Sequence, residues 1–317
     1  MVGPPLRVAF FGTPAFAVPT LDALLASRHT VVGVVTQPDR PRGRGQKVSD
    51  APVKARALEA GLPILQPATL RDETFLTAFR GWQADLGVVA AYGKILTEAA
   101  LGVPHLGMVN VHASLLPRYR GAAPVHRAVI AGDRETGVTI MRVVKALDAG
   151  PMLAKASHPI GGDETSDQVE AALAALGAPL LVETLDRLAD GRATETPQDD
   201  SQATYAPRIT KEDGLIDWSR PARDIHNLVR GLYPWPHAYS YLDAERLIIW
   251  KTAYEVTGTH PLPGTIVAAH GNLWTVAAAD GVVHLQQVQA EGRRAVAARD
   301  FLAGHPVRVG SVFAAPR

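Results

Sequence analysis

The chain has 317 residues, 47% of them hydrophobic and 20% charged, with a formal net charge of +1 and no cysteine. That length is enough for two domains of about 100–200 residues each. The near-neutral balance excludes a global field drawing the chain onto nucleic acid or membrane, and the missing cysteines exclude disulfides, thiolate nucleophiles and Cys-ligated metals. The N-terminal "LRVAFFGTPAFAVP" places a basic residue before apolar ones, as a signal peptide would, but the apolar run breaks at Gly12 and Pro14. It predicts a first buried strand instead. No uninterrupted apolar run reaches the roughly 18 residues of a spanning helix, so no membrane is expected as a partner, and a chain without cysteine suits the cytoplasm.

"RVAFFG", "TVVGVVTQ", "LPILQ", "DLGVVAAYG" and "GMVNVHAS" follow as continuous apolar runs, the pattern of strands buried on both faces of a parallel sheet. Helical spacing occupies 16–26, 51–60 and 69–82 between them, with Pro or Gly at the ends. This alternation predicts a doubly wound, Rossmann-like α/β domain over residues 1–188. It is completed by a helix near 125–131, strands through "GVTIMRVV" and "MLAKASHPI", and a long helix over 166–188. The polar, aperiodic "ADGRATETPQDDSQATYAP" then reads as an interdomain linker, 189–207. Residues 208–317 carry one helix near 222–232 and then "HAYSYL", "RLIIWKTAYEV", "GTIVAAH", "LWTVAAAD" and "GVVHLQQVQ". These predict a small β-barrel of the oligonucleotide-binding type. Its tryptophans, Trp218, Trp235, Trp250 and Trp274, are expected in the core.

Open parallel sheets bind ligands outside the carboxyl ends of their strands, and "NVHASLLPRYRGAAP", residues 110–124, begins at such an end. Asn110 and His112 are two apart on a strand and project to one side. Asp148, in "KALDAGPM", lies in a loop after another predicted strand and could join them. An amide can donate to a developing oxyanion, an imidazole can move a proton near neutrality, and a carboxylate can orient it. Ser114 lacks the G-x-S-x-G context of a nucleophile, so transfer without a covalent enzyme intermediate is the chemistry these residues suit. The same residues also fit a loop anchor, and Asp148 before Ala-Gly-Pro is a good turn-former. Residue types alone leave both readings open. The 11 histidines are scattered, with no paired spacing beside a Glu on a helix, so no metal site is expected.

From Gln37 to Arg56 the sequence holds six basic residues (Arg40, Arg42, Arg44, Lys47, Lys54, Arg56) and two acids (Asp39, Asp50). Pro38, Pro41, Gly43 and Gly45 keep the first part of this segment, up to Lys47, from becoming helical. It suits either a solvated charged loop or a cationic arm that grips phosphates.

"NVHASLLPRYRGAAP" together with "LDAGPM" resembles the signature of the 10-formyltetrahydrofolate-dependent formyltransferases. The resemblance implies 10-formyltetrahydrofolate as cosubstrate and Asn110, His112 and Asp148 as the catalytic group. It further implies that Ser114, Leu115, Leu116 and Pro117 border the folate, and that Tyr92, Gly93, Lys94, Ile95 and Leu96 of "AAYGKIL" line its pterin pocket through backbone groups. "FFGTPAFAVPTLDALL", "TQPDRPRGRGQKVSDAPVK" and "YAPRITKEDGLIDWSRPARDIHNLVRGLYPWPHAY" are similar to the members that formylate initiator methionyl-tRNA. That similarity implies a charged tRNA partner, held near its acceptor stem by Arg40, Arg42, Arg44 and Lys47, with the C-terminal domain positioning it and the enzyme acting as a monomer. Members acting on sugar-nucleotide amines are the alternative, and the Arg-Gly-rich loop argues against them. One departure is visible: "VKALDAGP" carries Ala146 where the tRNA-directed members usually carry Gly, and Lys145 is unusual there.

Overall fold

The structure is a computed structural model and describes residues 3–39, 41–42, 47–243, 245–258 and 261–313. The chain runs β1 (Arg7–Gly12), α1 (Val18–Leu25), β2 (Thr30–Val35), the two-residue β3 (Pro41–Arg42) and β4 (Lys47–Val48), α2 (Pro52–Glu59) and β5 (Ile64–Leu65). It continues through α3 (Glu73–Gly81), β6 (Leu86–Ala90), α4 (Glu98–Leu101), β7 (Met108–His112), β8 (Arg120–Gly121), α5 (Pro124–Ala131), β9 (Glu135–Arg142), β10 (Met152–Pro159) and α6 (Ser166–Ala189). Then come β11 (Tyr205–Ala206), α7 (Ala222–Gly231), β12 (Ala238–Leu242), β13 (Glu245–Val256), β14 (Ile266–His270), β15 (Leu273–Ala277), β16 (Gly281–Ala290), β17 (Val296–Ala297) and α8 (Ala298–Gly304). The helices α4 and α8 have no counterpart in the sequence reading. Each is at most two turns long and buries one alanine, Ala100 or Ala298, so neither writes a hydrophobic period.

The chain forms two compact units: Met1–Pro124, Glu135–Pro159 and Glu170–Ala206 make the first, and Val125–Arg134, Ile160–Val169 and Pro207–Arg317 the second. In the first, seven strands lie in the order β10-β9-β7-β6-β1-β2-β5. The five from β5 to β7 are mutually parallel, β9 runs antiparallel to β7, and β10 antiparallel to β9. Strands β1 and β6 are buried almost throughout, as their unbroken apolar runs require. Gly33 in β2 is fixed by packing: a Cβ there would meet the Trp82 ring at 2.4 Å. Phe11, Phe79 and Tyr92 interlock edge-to-face, with centroids 5.3 and 5.6 Å from Phe11, and Asp72 caps α3 by accepting from the Thr74 N–H.

Helix α6 is long and apolar enough, by length and composition alone, to cross a bilayer. Here its Ala174, Ala178, Leu181 and Leu185 are buried at spacings of three and four, with Leu173 buried beside them, while Glu183 and Arg187 form an ion pair on its other side. That stripe is the pattern of a helix packed on protein.

In the second unit six strands pair antiparallel in the order β12-β13-β16-β15-β14, with β17 beside β16, an arrangement of the small β-barrel type. The core is built on Trp274 and Trp218 with Phe313 and Ile225 of α7. Trp235 departs from expectation: it is 50% exposed, because it sits in the turn between α7 and β12, where no strand directs it inward.

Candidate active site

Strand β7 is registered between Val89 of β6 and Met141 of β9 at Asn110, so its carboxyl end sits beside those of the neighbouring parallel strands. Asn110 is half-buried, and among the described residues its side-chain amide makes no hydrogen bond within the chain. His112 is 5% exposed. Its Nε2 lies 2.9 Å from the Tyr119 carbonyl and its Nδ1 3.8 Å from Asp148 Oδ2. A carbonyl only accepts, so this contact assigns the N–H of the ring to Nε2 and leaves Nδ1 facing Asp148.

The carboxylate of Asp148 accepts from the Gly121 N–H at 2.8 Å, and its backbone stands at φ +47°. Gly121 is at φ +120°, and a Cβ on it would meet the Ala206 carbonyl oxygen at 2.8 Å, so both conformation and space demand glycine. The three groups come from two segments, Asn110 and His112 from β7 and Asp148 from the turn before β10, and a third, 119–121, supplies the hydrogen-bonding partners of His112 and Asp148.

The loop after His112 is packed from beneath. Ser114 and Leu116 are buried and turn their side chains inward, where the Ser114 hydroxyl donates to the Arg118 carbonyl at 2.7 Å. Thr139 donates to the Ser114 carbonyl at 2.7 Å and accepts from the Leu116 N–H at 3.1 Å, while Lys155 donates to the Leu116 carbonyl. Burial holds the Lys155 ammonium below its ordinary range. Leu115 and Pro117 are half-buried at the rim.

The segment 92–96 divides similarly. The ring of Tyr92 is core, and burial pushes its hydroxyl up to about 12. Its carbonyl accepts from Gln37 Nε2 at 2.8 Å and from the Thr13 hydroxyl at 3.3 Å. Gly93 is exposed, Lys94 donates to the Pro67 and Ala68 carbonyls, Leu96 is half-buried and Ile95 is 84% exposed. A cavity of about 330 Å³ opens at the carboxyl ends of β1, β2 and β6, lined by residues including Thr13, Gln37, Asp39, Ala91 and Gly93. It lies at strand ends neighbouring β7, and neither His112 nor Asp148 lines it.

Of the basic segment, Arg40 and Arg44 lie outside the described residues. Arg42 pairs with Lys47 through backbone in the β3–β4 hairpin. Lys54 engages Asp39 and, at 2.7 Å, Asp50, so both acids of the segment are drawn to one lysine at its base. Among the described residues no three His, Asp or Glu side chains are grouped to hold a metal ion.

The residues 189–207, read as a linker, are built into this region up to Ala206. Thr196 bridges Met152, Gln198 donates to the carbonyls of Asp148 and Gly150, Thr204 accepts from the Tyr119 N–H, and β11 pairs with β8. Nothing in the periodicity of this polar stretch signals these partners.

The formyl transferase family profile matches residues 6–185, and its C-terminal domain profile matches 208–306. The methionyl-tRNA formyltransferase of Citrifermentans bemidjiense is 47% identical over 97% of this chain and 96% of its own length. That of Methylococcus capsulatus is 48% identical over 95% and 97%. Among solved structures, the N-formyltransferase of Helicobacter canadensis, in complex with folinic acid and dTDP-3-aminofucose, superposes with a TM-score of 0.67 at 15% identity, covering 88% of this chain and 99% of its own. HypX from Aquifex aeolicus gives 0.66 at 15%, covering 98% and 53%. These two likenesses speak for the fold alone. The chain belongs to the formyl transferase family, in the branch of the methionyl-tRNA formyltransferases.

Proposed function

We propose that this chain transfers the formyl group of 10-formyltetrahydrofolate to the α-amino group of methionine carried by initiator tRNA, in the cytoplasm and as a monomer. The single observation that carries the reading is the near-half identity to methionyl-tRNA formyltransferases along the whole chain. The meeting of His112 with Asp148 beside the unpartnered Asn110 amide supports it independently.

The residues fit a folate donor in two respects. Asn110 has amide hydrogens free within the described chain, and the backbone at Gly93 is open beside a cavity. The folate supplies the formyl carbon that the acceptor amine attacks. Asn110 presents an N–H where negative charge develops on the formyl oxygen. His112 works through Nδ1, since Nε2 is held by Tyr119. Asp148 orients that ring edge, and with it carries the proton released by the amine toward the departing folate nitrogen. One C–N bond forms to the methionine amine and one breaks to the folate.

The first unit is assigned the chemistry (1–188 by the sequence boundary), with Ser114, Leu115, Leu116, Pro117 and residues 92–96 at the folate. Arg40, Arg42, Arg44 and Lys47 are assigned to the tRNA acceptor end, where each phosphate contact adds salt dependence. The second domain, 208–317, positions the tRNA. The test is a formylation assay of purified protein with charged initiator tRNA, charged elongator tRNA and a sugar-nucleotide amine. Formylation of the initiator species alone is expected. Formylation of only the sugar nucleotide overturns the acceptor, and wild-type rates in His112→Ala overturn the site.

A further inference from the structure

Gln198 sits 50 residues beyond Asp148 in sequence and directly behind it in space. Its amide nitrogen donates to the Asp148 carbonyl and to the Gly150 carbonyl, each at 2.8 Å, which uses both hydrogens. Its amide oxygen accepts from Arg120 Nε at 3.0 Å and Nη2 at 2.8 Å. Arg120 is buried, and its remaining tie is to Asp200, whose side chain is 82% exposed. The guanidinium therefore reaches the Asp148 loop through one side chain, and it does so from the residue next to Gly121, whose N–H holds the Asp148 carboxylate.

We propose that Gln198 and Arg120 are positioning residues for formyl transfer: Gln198 locks the backbone of the Asp148 turn, and Arg120 locks the amide of Gln198 so that it offers donors, not its oxygen, to that turn. An Arg carries only donors, so a Gln facing it must turn its oxygen to the guanidinium and its NH2 away. Asp148 needs such a lock because its φ of +47° is a conformation that a non-glycine residue holds only when its surroundings impose it. A turn relaxing toward ordinary φ would swing the carboxylate off the Gly121 N–H and away from His112 Nδ1. This inference rests on the formyl-transfer reading of the same site.

The alternative is that Gln198 merely satisfies the buried charge of Arg120. Gln198→Glu separates the two. Glutamate keeps, and strengthens, the pairing with Arg120, yet it removes both donors and turns an anion toward two carbonyls. Gln198→Met, similar in volume, removes donor and acceptor together. Displacing a catalytic group by about 1 Å can cost about 100-fold in rate, so both variants should lose about 10- to 100-fold in kcat, with KM for folate and for charged tRNA within about twofold of wild type. Asp200→Asn, at an exposed side chain, removes only the outer tie of Arg120 and should lower kcat by less than about fivefold. Circular dichroism and thermal melting establish that each variant is folded; if one is not, the other carries the test, and if neither is, Asp200→Asn does. Wild-type kcat in folded Gln198→Glu overturns the proposal, as does a loss confined to KM. Asn110→Ala, assayed beside them, separates the readings: wild-type turnover there sinks the formyl-transfer site itself, whereas a slow Asn110→Ala with a fast Gln198→Glu sinks only the role given to Gln198.

Discussion

Two segments of the first unit, 110–124 and 189–206, look opposite in sequence and meet at one place. The first announces chemistry through residue type: an amide and an imidazole at a strand end, then a loop rich in Pro and Gly. The second is polar and aperiodic, with the composition of a solvated connection. In the structure the second frames the first, through Thr204 on the Tyr119 N–H at 2.8 Å, Ala206 against Gly121, and Gln198 behind Asp148. Composition marks the groups that can react. It is silent about the groups that hold them, because a hydrogen-bonding side chain looks the same in sequence whether its partner is water or a strained carbonyl.

The largest effect belongs to the reactive segment. Removing an oxyanion donor costs about 10²–10³ in rate, so Asn110→Ala should lose that much turnover in a formylation assay and keep the wild-type melting temperature. A matching loss of stability would recast Asn110 as a structural member, and the contrast between the two segments would fail at its first step.

Gly121 tests the seam between them. Alanine there adds a Cβ 2.8 Å from the Ala206 oxygen at φ +120°. Strain of this kind costs about 1–3 kcal/mol, so Gly121→Ala should be less stable by that amount in urea titration. It should also turn over more slowly, since its N–H is the direct hold on the Asp148 carboxylate. Wild-type stability and activity together would mean that the strap yields freely and frames nothing.

Part of this is legible in the amino-acid sequence itself. The central parallel strands β1 and β6 are unbroken apolar runs that suit burial on both faces, whereas His112 and Asp148 are singled out by the family resemblance, residue type alone leaving a loop-anchor reading open. Other features were not legible, for physical reasons. The antiparallel turn of β9 depends on where the chain re-enters the sheet, which no local pattern encodes. The inward turn of the Ser114 and Leu116 side chains is of this kind, because the strand's alternation ends at His112 and the following loop is set by Thr139 and Lys155 from β9 and β10. Gln198 was invisible since its partners lie 50 and 78 residues away. Trp235 was misjudged because aromatic content predicts burial only inside an element.

A smaller effect is expected at Thr204. Thr204→Val deletes the acceptor for the Tyr119 N–H, a single hydrogen bond worth about 0.5–1.5 kcal/mol. A shift of that size in the urea midpoint, with turnover within a few-fold of wild type, would rank the strap's individual ties below the Gly121 seam. A collapse of turnover would instead place Thr204 among the residues that fix the His112 carbonyl partner.

The last prediction concerns the start of the strap and is silent at neutral pH. Asp190 accepts from Arg192 and from the Gly3 N–H at 2.7 Å, with Arg28 nearby at 3.3 Å, and these donors push its carboxyl down to about 2. An ordinary Asp titrates near 3.9, so the folded state binds this proton less readily than the unfolded chain. The stabilisation is therefore complete above about pH 4 and drains away as pH falls through about 2. Asp190→Asn keeps an acceptor oxygen but cannot titrate, so its urea midpoint should fall less steeply than wild type between about pH 4 and 2, with the two curves running parallel above that window. Parallel curves through the acid range would show that Asp190 is not held in the folded state. The strap would then be anchored by the Arg142–Glu195 pair and by its contacts at Thr196 and beyond, with its first residues held only where they leave α6.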